Sequence, residues 1–167
     1  MNNLIEQLIS VLEKELEMHG LLIGTANEMN EAVKSSSIEK IQAAARRYDC
    51  SITGIADLEE KRLAFSDAIC HKTLGNCPHA SLLRVIDSVP AAYKKTITDL
   101  RAKLKAEIDD LSKINYANQV LLTESLHSIQ KTFEMIAASR SSHSGGYAKQ
   151  GKKAEPRTTL TIVNTIA

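Results

Sequence analysis

An all-α fold is predicted for this 167-residue chain: an elongated antiparallel helical bundle of three main helices, the third very long, with a flexible C-terminal tail. Three observations predict it. Apolar residues recur at steps of three and four along most of the chain, the spacing of one helix face. Breakers are scarce, with 7 Gly and 3 Pro, and Ala, Glu, Lys, Leu and Arg make up somewhat under half of the residues, close to the composition of long helices and coiled coils. The β-branched runs that mark strands are confined to the final stretch, RTTLTIVNTIA. With aromatics at 4% and no Trp, the core has to be aliphatic.

The first helix is read from Ile5, Leu8, Leu12, Leu16, His19, Leu22, Ala26, Met29 and Val33, which share one face. KSSSIEK breaks that pattern. Ser36 with Glu39 three residues on forms a capping box, so a second helix is expected to start there. Its face reads Ile38, Ile41, Ala45, Tyr48, Ile52, Ile55, Leu58, Phe65 and Ile69, with a drift in phase between Leu58 and Phe65. LGNCP ends it, because Gly75 suits a C-terminal cap and Pro78 cannot continue a helix cheaply. HASLLRVIDS is a short helical candidate. Pro90, tolerated in a first turn, then opens the longest element. Its seam runs Tyr93, Ile97, Leu100, Leu104, Ile108, Leu111, Asn115, Asn118, Leu122, Leu126, Ile129, Phe133 and Ile136.

Helix length sets the expected shape. At 1.5 Å per residue the third main helix should run about 70 Å, against about 45 Å and 55 Å for the first two, and should overhang them by roughly 15 Å. With the bundle aligned at the Pro90 end, the overhang carries Leu126, Ile129, Phe133 and Ile136, and uncovered apolar patches mark partner sites. SRSSHSGGYAKQGKKAEP is polar, basic and glycine-containing, and ends the periodic pattern. The expected division is therefore a helical domain over 1–138 and a flexible tail over 139–167.

Composition excludes several classes of function. Net charge is +1, with acids and bases interspersed and no basic stripe carrying aromatics, so no nucleic-acid partner is expected. The N-terminal stretch carries acids inside its apolar pattern and reads as neither a signal peptide nor a membrane span. A cytoplasmic location and reduced thiols follow as the expectation for three cysteines.

Two segments resemble chemistry. Cys70, His71, Cys77 and His79 fall close together, but the Cys-to-Cys spacing is wider than a zinc knuckle and a second ligand pair is missing, so no metal is expected. His71 invites a phosphotransfer reading, yet Lys72 beside it points about 100° away around a helix. His19 is expected to be packed and His127 solvated, and neither has an obvious orienting carboxylate, so acid-base catalysis has no foothold. No catalytic residue and no cofactor are expected.

Asn115 and Asn118 are the conspicuous polar positions of the long seam. A polar residue there fixes register at some cost in stability, and a buried amide needs a hydrogen-bonding partner. Asn115-x-x-Asn118-x-x-Leu121-Leu122 resembles the N-x-x-N-x-x-L-L signature of FlgN-like flagellar export chaperones. LEEKR, Leu58 to Arg62, resembles that family's L-E-x-x-R in the second helix, and YAKQG, Tyr147 to Gly151, its Y-x-x-x-G tail motif. The order of elements agrees along nearly the whole chain, and the Cys70 to His79 loop is the departure from it.

The resemblance implies a cytoplasmic, non-enzymatic chaperone that binds hook-associated flagellar proteins and delivers them to the type III export gate. The cargo surface it implies comprises Asn115, Asn118, Leu122, Leu126, Ile129, Phe133 and Ile136 with Leu160, Ile162, Val163 and Ile166 of the tail. It implies docking onto the export gate through Tyr147. On the residues alone, two other readings stay open: an adaptor whose bundle completes itself as a homo-oligomer, and a histidine phosphotransfer domain using His71.

Overall fold

A computed structural model describes residues 1–75 and 80–143. Among these residues there are four helices and no strand: α1 (Asn2–Lys34), α2 (Ile38–Leu74), α3 (Leu82–Ser88) and α4 (Ala91–His143). The all-α prediction and the order of elements hold. The chain divides into two compact units, Met1–Ser125 and Leu126–Ala167, and α4 contributes to both.

Within the first unit, cross-links fix the directions of the helices. Glu15 pairs with Arg62 and Glu28 with Arg47, so α1 and α2 run antiparallel. The Tyr93 hydroxyl meets Glu6, and the Asn118 amide meets the Ala26 carbonyl, so α4 runs beside α1 in the same direction. Two apolar clusters stack along this arrangement. The larger gathers Ile5, Leu8 and Leu12 of α1, Ile69 and Cys70 of α2, Val85 of α3, and Ile97, Leu100 and Leu104 of α4. The smaller gathers Leu22, Ala26, Ile55 and Leu111. Both are aliphatic, as the composition requires.

The turn between α1 and α2 corrects the expected capping box. Ser36 does not cap α2; it adopts φ 52°, the left-handed region, and ends α1. Its N–H donates to the Val33 carbonyl (2.9 Å), and the Ser37 N–H donates to the Ala32 carbonyl (3.1 Å). This pair of bonds is the Schellman arrangement, in which a left-handed residue satisfies the last carbonyls of a helix. Ser37 becomes the N-cap of α2 and makes no side-chain capping bond. The chain reversal uses the residue that a capping box would have needed.

The expected face of α1 is its buried one, with Leu16 and Met29 half-buried. On α2, Ile38 and Ile52 are exposed, while Ala44, Ile55, Ser66, Ile69 and Cys70 are buried. Gly75 does stand at the C-terminal cap, with φ 84°. α3 is the short helix expected, and Asp67 of α2 accepts a hydrogen bond from the Ala80 N–H (2.7 Å) just ahead of it. On α4, Ile108 and Leu122 are exposed despite their seam spacing. Helical structure continues through Ser139–His143, past the point where the apolar periodicity stops.

Candidate functional site

A polar layer separates the two apolar clusters. On α1, Glu15 and His19 follow Leu12 of the larger cluster and precede Leu22 of the smaller one. On α2, Arg62 lies between Phe65 and Ile55 in the same sense, and fills the gap where the apolar phase drifts. Arg62 donates from Nε to Glu15 Oε1 at 2.9 Å, and its guanidinium also reaches Glu59 at 3.8 Å. Glu15 is 1% exposed, and Ser66, one turn beyond Arg62, is fully buried. Among the described residues, Glu15 Oε2, His19 Nδ1, Ser66 Oγ and Glu107 Oε2 are buried without a hydrogen-bond partner.

Burial dominates the titration of this layer. It pushes the Glu15 carboxyl up, against the pull of Arg62. It pushes His19 down, against the pull of Glu59, and pushes Glu107 up. In each case loss of water disfavours the charged form.

The two seam asparagines are satisfied inside the first unit. Asn118 is buried; its amide donates to the Ala26 carbonyl (2.8 Å) and its oxygen accepts from Asn30 (2.7 Å). Asn115 donates to the Tyr48 hydroxyl at 2.7 Å. One amide thus ties α4 to α1 and the other ties it to α2, at a single level. Glu15 and Asn30 are the partners that the sequence pattern did not single out, whereas Tyr48 was read as a position on the α2 face but not as a hydrogen-bond partner. Glu15 falls three residues after Leu12 and four before His19, which places it on the buried face; its polar type hid it.

Beyond Ser125 the face changes character. Leu126 (67% exposed), Ile129 (54%), Phe133 (66%) and Ile136 (46%) recur at steps of three and four and stand open to solvent. Met135 is equally exposed. Scattered exposed apolar side chains are ordinary, but a row on one helix face is not.

The remaining candidates are dispersed. Cys70 packs in the larger cluster as a small apolar residue, and His71 is exposed at the end of α2. Cys77 and His79 lie outside the described residues, as do Tyr147, Leu160, Ile162, Val163 and Ile166. His19 is packed and His127 is exposed, both as expected. Among the described residues no cluster of His, Cys, Asp and Glu can hold a metal ion. An open groove of about 590 Å³ lies between α1 and α2, but its charged walls are already joined by the Glu28–Arg47 pair. No helix of the described residues is long and apolar enough to cross a membrane.

Comparison with known proteins agrees with this architecture. No curated protein and no solved structure matches the chain. A family profile, described as FlgN protein, matches residues 1–155. That span takes in all four helices, including the Glu15–Arg62 layer, the asparagine pair and the exposed row of α4. The chain therefore belongs to the FlgN family, a family of flagellar export chaperones.

Proposed function

We propose that this protein is a cytoplasmic export chaperone that binds hook-associated flagellar proteins and carries them to the flagellar type III export gate. The observation that carries the reading is the exposed apolar row Leu126, Ile129, Phe133 and Ile136 on α4. Each such side chain gains about 1.5–3 kcal/mol when covered, before the costs of association. An amphipathic cargo helix covers such a row by presenting its own apolar residues at the same spacing. Leu122, exposed in the first unit, and Leu160, Ile162, Val163 and Ile166 of the tail join the cargo surface in this reading, and Tyr147 docks on the export gate. Asn115 and Asn118 have their amides engaged within the first unit, so the proposal gives them the task of holding α4 in register. The role needs no catalytic group.

One pair of variants tests it. Phe133→Ala should leave stability within about 0.5 kcal/mol of the parent, as for an exposed site, while weakening the binding of hook-associated proteins. Leu12→Ala, at a buried site, should cost about 2–5 kcal/mol. Retention of cargo binding by Phe133→Ala would place the cargo surface elsewhere. Mass that rises with concentration and falls in Phe133→Ala would favour self-association as the use of the row.

A further inference from the structure

The first unit is built unevenly on the two sides of its Glu15–Arg62 layer. On the side of the α1 N-terminus lies the larger cluster, to which α3 adds Val85. The bulkiest fully buried apolar side chains, Ile5, Leu8, Leu12, Ile69 and Ile97, all belong to it. On the side of the α1–α2 turn lies the smaller cluster of Leu22, Ala26, Ile55 and Leu111, and Ala32, Val33 and Ala44 are buried further out. Ile38 and Ile52 of α2 are exposed there, and the open groove lined by Gly24, Ala32 and Ala43 runs through the same half. With less apolar surface removed from water, less free energy holds these turns together. The same half carries helical glycines, Gly20 and Gly24 in α1 and Gly54 in α2. A Cβ at Gly20 or Gly24 would meet nothing within 4 Å, so no close approach requires glycine at either position. Glycine inside a helix weakens it relative to alanine. Besides Leu111, the ties to α4 are polar: Asn118 to the Ala26 carbonyl and Asn115 to the Tyr48 hydroxyl. Such bonds are exchanged for bonds to water on opening, so their net hold is modest. The exposed Glu28–Arg47 pair adds little.

We propose that the half of the first unit on the α1–α2 turn side of the Glu15–Arg62 layer opens as one cooperative unit, while the half around Leu8, Ile69 and Ile97 stays folded. The cross-links set its extent. Glu15 lies opposite Arg62 and Glu28 opposite Arg47, so Gly20 of α1 lies level with about residue 57 of α2. Glu6 with Tyr93 and Ala26 with Asn118 place the same level near residue 110 of α4. The opening unit is therefore α1 beyond Gly20, α2 up to the Gly54 turn, and α4 from Leu111 to the end of the first unit at Ser125. The boundary falls at the polar layer because the apolar packing is interrupted there, and cooperative units follow such breaks. Opening parts Asn115 from Tyr48, and Asn118 from Ala26 and Asn30. It thereby uncovers a stretch of α4 that the closed bundle keeps covered. The device belongs to the first unit by itself and needs no partner.

Native-state hydrogen exchange of the full chain, read residue by residue by NMR with and without sub-denaturing urea, tests it. The amides of Leu22, Ala26, Ile55 and Leu111 should be protected at least about tenfold less than those of Leu12, Ile69 and Leu100, and should share one shallower urea dependence. Ile97→Val thins the larger cluster, whose packing survives the opening. It should lower protection at Leu12 and Ile69 by about two- to tenfold and leave Leu22 and Ile55 unchanged. Gly24→Ala should raise protection at Leu22 and Ile55 by about two- to fivefold, and at Leu12 and Ile69 as well, because global unfolding includes the opening. Equal protection with one common urea dependence in both halves would overturn the inference. So would an Ile97→Val effect felt equally at Leu22 and Ile55, or a Gly24→Ala that leaves those two amides unchanged.

Discussion

Arg62→Leu offers the sharpest test of how the first unit is held together. The Glu15 carboxylate is almost completely buried, one oxygen accepts from the Arg62 guanidinium at 2.9 Å, and the second has no hydrogen-bond partner among the described residues. Removing one member of a buried pair leaves an uncompensated charge and costs about 3–5 kcal/mol. For a domain of this size that corresponds to a fall in melting temperature of roughly 6–20 °C. Leucine suits the site, because Arg62 occupies the position between Leu58 and Phe65 on the buried face. The partner variant Glu15→Leu should also destabilise, by stranding Arg62. The double variant should recover to near the parent or exceed it by about 1–4 kcal/mol, because neither charge then has to be desolvated. The sign of the pH dependence is part of the prediction. The folded-state value of Glu15 already lies above its ordinary 4.5, and in Arg62→Leu it should lie higher still. Stability from such a group is full below the unfolded value and is lost as pH rises through the folded one. Arg62→Leu should therefore be rescued in part as pH falls from neutral toward the ordinary 4.5, by protonating the stranded carboxyl. Urea unfolding followed by circular dichroism measures all four proteins, with unchanged m-values as the check on two-state behaviour. A cost below about 1 kcal/mol for Arg62→Leu, or a double variant as unstable as the sum of the singles, would refute the claim that this pair is a buried charge cluster.

His19 gives an opposite dependence. Burial holds it below its ordinary 6.5, so its contribution is full above that pH and is lost as pH falls from there through the folded value; His19→Gln should flatten this acid-side loss in a melting series. Asn118→Ala removes the bond to the Ala26 carbonyl and strands Asn30, and should cost about 1–3 kcal/mol by urea unfolding. Ser36→Gly should stabilise by up to about 1 kcal/mol, because φ 52° is strained for a side-chain-bearing residue, and a lower melting temperature would contradict the turn geometry.

The helices were legible in the residues because periodicity is a local property. Ile5, Leu8, Leu12 and Leu22 announce the buried face of α1 by their spacing alone, and Pro90 announces the start of α4 by its missing donor. The exposed row Leu126, Ile129, Phe133 and Ile136 was likewise visible as a pattern, and helix length suggested that it would be uncovered. What spacing cannot carry is which polar group meets which. Leu58 and Phe65 leave a gap at Arg62, and the sequence shows that gap only as a drift in phase. The antiparallel packing of α1 on α2 brings Glu15 into it, 47 residues away along the chain. The same holds for Asn118, whose partners Ala26 and Asn30 lie 92 and 88 residues off. It holds for Ser36 as well: its sequence suits an N-cap, but the reversal needed to lay α2 against α1 draws it into the left-handed region instead. Sequence determined the helices and their apolar faces, because side-chain spacing and solvent suffice for that. Tertiary structure decided the polar pairings, because a buried charge or amide is tolerated only where a distant element supplies its partner.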